Sequence, residues 1–179
     1  MSKTINIGSL AEVVNNEIHT GENFEKFLRN LPPMKNEEVS RIKNSTISIL
    51  SQCVAPHYEE PTYEQNTGLV LGYIQSGKTM SFTSLIALAS DNDYKIIIVL
   101  AGTTNILLNQ TIDRLGEDLD DENEYVIIED ANLNNLSRIK RVVKNNKRQR
   151  TLILPILKHY KHIERIYDLF RQPELNLLL

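Results

Sequence analysis

Apolar residues in this chain follow two rhythms in turn. Near-continuous β-rich runs occur at Gly68-Leu69-Val70-Leu71, Tyr94 to Leu100, Tyr125 to Ile128 and Thr151 to Leu157. Runs of this kind predict strands, and the second has the look of a strand buried on both faces of a parallel sheet. Between and after them the spacing becomes helical: Met80 to Ser90, then Ile106, Leu107, Gln110, Thr111 and Arg114, then His159, Ile163, Ile166, Leu169 and Phe170 before Pro173. Strand, helix and strand from Gly68 to Leu100 make a βαβ unit with an expected right-handed crossover. Pro155 predicts an edge position, or the end of a strand, for the run that holds it. Upstream the chain is polar and helical, with Asn23–Leu31 and Asn36–Val54 as helices parted by Pro32-Pro33. The pattern predicts a helical extension over residues 1–60 and an α/β core over 61–179, a mainly parallel sheet flanked by helices.

The turn between the first strand and its helix carries the chemistry. Gly72-Tyr73-Ile74-Gln75-Ser76-Gly77-Lys78-Thr79 fills every fixed position of the phosphate-loop pattern G-x-x-x-x-G-K-[ST]. Gly72 and Gly77 let the backbone turn sharply and approach phosphate oxygens. The amides of Gln75, Ser76, Gly77, Lys78, Thr79 and Met80 would line the cradle, helped by the positive end of the helix that starts near Lys78. Lys78 would reach the β and γ phosphates, and the Thr79 hydroxyl suits magnesium, which prefers oxygen ligands. The expected ligands are ATP and magnesium. Ala101-Gly102-Thr103-Thr104-Asn105 leaves the next strand at its carboxyl end, where crevices form, with Thr103 or Thr104 as helix cap.

Three segments carry a family resemblance: Gly72 to Ala87, Tyr94 to Asn105 and Leu108 to Leu115. Together they resemble the Z-one domain family, P-loop ATPases related to superfamily-two helicases that stand beside endonuclease modules in bacterial restriction and phage-defence proteins. The Gln75-Ser76-Gly77-Lys78-Thr79 core and the Val99-Leu100-Ala101-Gly102 strand end are the most specific shared features, and the likeness runs from about Gly68 to Leu157. It implies a RecA-like P-loop NTPase fold, DNA as partner and a nuclease module in the same chain or complex. It also implies that Thr103, Thr104, Asn105 and Gln110 touch a nucleic-acid backbone, although the family usually has another pair where Thr103-Thr104 stand.

At 179 residues the chain is one domain's worth, whereas such motors need two. The apolar run from Pro173 to Leu179 reads as the opening of another buried strand. The resemblance places the acidic pair that completes the magnesium site just beyond it, so the fold would be incomplete here and nucleotide would be bound but poorly hydrolysed. Tyr125-Val126-Ile127-Ile128-Glu129-Asp130 mimics such a strand end but comes early; Glu129 and Asp130 read as helix-start or solvent-facing residues, with a metal role as the alternative.

Residues 131 to 150 hold Arg138, Lys140, Arg141, Lys144, Lys147, Arg148 and Arg150 and no carboxylate, a positive stripe in a chain of net charge −3. It reads equally as a nucleic-acid contact, through Arg138 and Arg141, and as a solvated helix face, for no aromatic residue is interleaved. His159 and His162 lie three apart on a helix, too few ligands for a metal alone. Tyr63 or Gln65 would be chemically apt to meet an adenine base, against a plain linker role. The single Cys53 fits a reducing cytoplasm, and no apolar run is long enough for a membrane span. Two rival readings stand beside the motor: a small P-loop kinase, and a non-catalytic module that binds nucleotide as a regulatory ligand.

Overall fold

In a computed structural model, residues 17–56, 70, 78–119, 124–129, 131–145 and 150–176 are described. They form α1 (Glu22–Arg29), α2 (Asn36–Leu50), α3 (Lys78–Asp91), β1 (Ile96–Ala101), α4 (Asn105–Asp118), β2 (Tyr125–Ile127), a 3₁₀ turn (Leu133–Asn135), α5 (Leu136–Val143), β3 (Thr151–Leu157), α6 (Tyr160–Phe170) and α7 (Pro173–Asn176). The strands make an open parallel sheet in the order β1-β3-β2. The α/β class, the parallel pairing and the flanking helices agree with the sequence pattern.

The strand order explains where the helices go. From β1 the chain passes over β3 to reach β2, then returns to fill the gap. A right-handed crossover places α4 on one face for the outward step and α5 on the other for the return. Alternation along the strands divides the core accordingly. Val126, Ile128, Leu152, Leu154 and Ile156 pack with α5, α6 and Leu175 of α7, while Ile153 and Tyr125 pack with Phe24, Phe27, Leu50, Leu88 and Leu115 from α1 to α4. Each fully buried apolar side chain of this size contributes about 1.5–3 kcal/mol.

Coverage is uneven. Ile98 and Leu100, on the α5/α6 face of β1, remain 42% and 50% exposed. The sequence pattern predicts burial on both faces for this strand. On the α3/α4 face Ile97 and Val99 are half-buried, whereas the helices of the opposite face seat on β3, so burial on both faces is reached only in part.

Two further expectations are corrected. β3 is the central strand, although it contains Pro155. Thr151 donates to the Glu124 carbonyl and Leu152 to the Lys95 carbonyl, so odd-numbered amides of β3 face β2. β2 ends at Ile127, and Ile128 makes its last donation, to Ile153. The donor that Pro155 lacks therefore points past the end of β2, where no ladder bond is lost. The second correction concerns Pro173 to Leu179: Pro173–Asn176 is a helical turn that buries Leu175, not the start of a strand, and residues 177–179 lie outside the described residues. Proline is well suited to a first helical turn, where its missing N–H would have had no partner.

Polar tethers fix the helices. Asp91, closing α3, accepts hydrogen bonds from the amides of Gly21 (2.9 Å), Asn23 (3.1 Å) and Phe24 (2.9 Å) at the start of α1. A Cβ on Gly21 would stand 2.6 Å from the Asp91 carboxyl carbon, so a larger residue there would displace that carboxylate. Asn92 brackets His19, accepting from its amide and donating to its carbonyl. The buried hydroxyls of Thr46 and Ser84 meet at 2.8 Å between α2 and α3. Thr151 Oγ1 lies within hydrogen-bond reach of the Ser90 hydroxyl (2.9 Å) and the Tyr94 carbonyl (3.2 Å), joining β3 to the end of α3.

Candidate functional site at the carboxyl edge of the sheet

All three strands are parallel, so their carboxyl ends lie along one edge, where ligand crevices form in open α/β sheets. α3 leads into β1 through a short turn and therefore runs antiparallel to it. Its fourteen residues span about 21 Å at the usual rise of 1.5 Å per residue, close to the length of β1. The first residues of α3 are thus level with the carboxyl end of β1. Lys78 and Thr79 are those first residues, and Met80, half-buried, packs against the α1–α4 core. Gly72, Gln75, Ser76 and Gly77 lie outside the described residues, as do Tyr63, Gln65 and Asp130. Among the described residues α3 runs from Lys78.

After β1 the chain turns at Gly102, whose φ of +26° lies in the left-handed region that favours glycine. A Cβ there would approach Leu107 Cδ1 to 2.5 Å. The Gly102 carbonyl accepts from the Lys158 amide at 2.8 Å, locking the exits of β1 and β3 together. Thr104 caps α4, its hydroxyl oxygen accepting from the Leu107 amide at 3.4 Å. Thr103, Thr104 and Asn105 are exposed along this edge.

The other predicted nucleic-acid residues divide between two faces. Gln110 is exposed on α4, whereas Arg138 and Arg141 are exposed on α5, across the sheet. Arg138 lies near the start of α5 and close to the carboxyl edge; Arg141 is nearly one turn further back. The topology therefore gathers Thr103, Thr104, Asn105 and Arg138 at one edge and leaves Gln110 and Arg141 on opposite flanks. Glu129 is exposed at the end of β2, and Asn132, not an acidic residue, caps the following turn by accepting from the Asn134 amide. Among the described residues no three His, Cys, Asp or Glu side chains group to hold a metal. Nor is any described helix long and apolar enough to cross a membrane.

One cluster escapes a reading based on charge runs alone. Lys158-His159-Tyr160-Lys161-His162 follows β3 at the same edge. His159 is the cap of α6, its Nδ1 accepting from the Lys161 amide at 3.3 Å, which gives it a structural role in place of the metal pairing weighed from spacing. Tyr160 is 66% exposed, its ring 4.7 Å from that of His159 and 6.0 Å from Lys161 Nζ. The signal in the sequence was the aromatic residue set between cations. Comparisons of the chain with protein-family models, with curated proteins and with solved structures found no match.

Proposed function

We propose that this chain is the nucleotide-binding part of a helicase-like, DNA-acting ATPase of the P-loop NTPase class, similar to the Z-one domain proteins of bacterial restriction and phage defence. The reading is supported by the complete Gly72 to Thr79 loop pattern in the sequence, whose Lys78 and Thr79 lie in the described part of α3, level with the carboxyl edge of a parallel sheet. The amides of a first helical turn, with the positive end of the helix dipole, favour an anion, which supports the reading.

In this reading the loop amides from Gln75 to Met80 hold the α and β phosphates of ATP. Lys78 offsets charge on the β and γ oxygens, and Thr79 supplies one oxygen ligand to magnesium. Magnesium, held in part by Thr79, would supply positive charge to offset that of the phosphate oxygens. The residues of this chain bind and orient; Thr103, Thr104 and Asn105 sit where a DNA backbone crossing the same edge would be met. An endonuclease module, in the same chain or in a complex, would act on the DNA so engaged, in the cytoplasm.

The test is thermal unfolding of the protein and its Lys78→Ala variant with magnesium and ATP, ADP or GTP. Ligand at ten times Kd stabilises by about 1.4 kcal/mol. A shift with adenine nucleotides that is lost in the variant is the expected result; no shift at millimolar nucleotide would overturn the reading.

A further inference from the structure

We infer that Lys158–His162, with Thr103–Asn105 beside it, forms a contact surface for a single-stranded polynucleotide, Tyr160 stacking on a base and Lys158 and Lys161 meeting the flanking phosphates. The inference deepens the nucleic-acid part of the function proposed above and is independent of its nucleotide part.

Four observations carry it. Tyr160 leaves most of its ring in water, while its neighbours in α6, Ile166 and Leu169, supply the buried contacts of that helix. The ring is held in place, since His159 caps the helix start and lies against it at 4.7 Å. Lys158 and Lys161 are exposed and make no ion pair among the described residues, and Lys161 Nζ lies 6.0 Å from the Tyr160 ring. No Asp or Glu occurs from Ala131 to Ile163, the nearest carboxylate along α6 being Glu164, one turn on from Tyr160.

An exposed ring with one ammonium 6.0 Å away and a second exposed lysine two residues before it suits binding of single strands with little sequence preference, because every base has a stacking face and every linkage a charge. A duplex keeps its bases stacked inside and gives the ring nothing to stack on. The hydrogen bond from the Lys158 amide to the Gly102 carbonyl continues the surface onto the polar Thr103, Thr104 and Asn105, whose hydroxyl and amide groups suit phosphate and sugar oxygens.

The experiment is fluorescence anisotropy with labelled oligothymidylate, oligouridylate and a duplex, without ATP, across a salt series. The proteins are wild type, Tyr160→Ala, Tyr160→Phe, Lys158→Ala/Lys161→Ala and Lys78→Ala. Wild type should prefer single strands, and the DNA and RNA arms identify the source of the strand. Tyr160→Ala should weaken binding roughly tenfold with an unchanged salt slope, and Tyr160→Phe should retain it. The double lysine variant should flatten the slope of log K against log salt by about 1.4, from two phosphate contacts. Unchanged melting temperatures would exclude misfolding, since all three side chains are exposed. Absence of single-strand binding, equal affinity for duplex, or no effect of Tyr160→Ala would overturn the inference, as would lysine-dependent binding to anionic vesicles that oligonucleotide does not displace. Retained oligonucleotide binding by a protein that shows no ATP shift would leave this inference standing and sink the nucleotide reading.

Discussion

The carboxylate of Asp91 accepts the backbone amide of Phe24 at 2.9 Å, so the last residue of α3 serves as the N-terminal cap of α1. Gly21, at the cap position of α1, has no side chain to do this, and Asp91 takes its amide and two of the first amides of α1. Phe24 itself is fully buried against α3. The helical extension is thereby fastened to the end of the helix that starts at Lys78.

Replacing Asp91 by alanine should destabilise the protein by about 1–2 kcal/mol, the cost of losing a helix cap. Urea unfolding measures this directly. Asp91→Asn, which keeps one carbonyl acceptor, should recover part of the loss. Equal stability of wild type and Asp91→Ala would show that these bonds contribute nothing net.

Ile98 and Leu154 are register partners on adjacent strands, yet one is 42% exposed and the other fully buried. Leu154→Ala should cost about 2–5 kcal/mol, transfer and cavity terms together. Ile98→Ala should cost well under half as much, because water already reaches the side chain. Chemical denaturation of the two variants checks the ratio, which depends less on the unfolded-state reference than either value alone.

Gly102→Ala forces a side chain onto a backbone with φ of +26° and against Leu107. Strain of this kind costs about 1–3 kcal/mol. Because the Gly102 carbonyl also holds Lys158, the variant should loosen both strand exits, seen as faster amide exchange at Lys158 and in the first turn of α4.

Burial, and after it the nearby Cys53, push the Tyr94 phenol up to about 12 from an ordinary value of 10.0, and its hydroxyl donates to the Val54 carbonyl at 2.7 Å. The proton is held more tightly in the folded state than in the unfolded one. The associated stability is therefore complete below pH 10 and is lost as pH rises from 10 toward 12. The stability difference between wild type and Tyr94→Phe should be flat below that window and shrink across it, measured by unfolding at fixed temperature.

Much of this architecture is legible in the residues. The apolar rhythm marks β1, β2, β3 and the helices α3, α4 and α6 to within a few residues, because a buried strand and an amphipathic helix each impose a period on their own sequence. Thr104 is legible as a cap because its partner, Leu107, is three residues away. What local pattern does not carry is contact at a distance. Asp91 reads as an ordinary helix end until Gly21 is placed against it. Pro155 reads as an edge signal because nothing along the chain tells how far the neighbouring strand extends. Leu175 reads as part of a strand because one turn of helix is too short to show a period. Of the candidate site, the loop after β1 and the Thr104 cap of α4 follow from the sequence. Their union with Lys158–His162 depends on β3 lying next to β1, which only the strand order supplies.

Pro155 also shapes the rim of the molecule. Facing β2 with a ring instead of a donor, it allows no further rung beyond the Ile128 amide, so the sheet ends in a step: β3 and β1 run on together while β2 stops short. A neighbouring chain that tried to level that step by lengthening β2 would bring a carbonyl against a residue with no hydrogen to give. A single imino acid thus fixes where pairing on this side of β3 stops, while the other side runs on with β1 to Leu157.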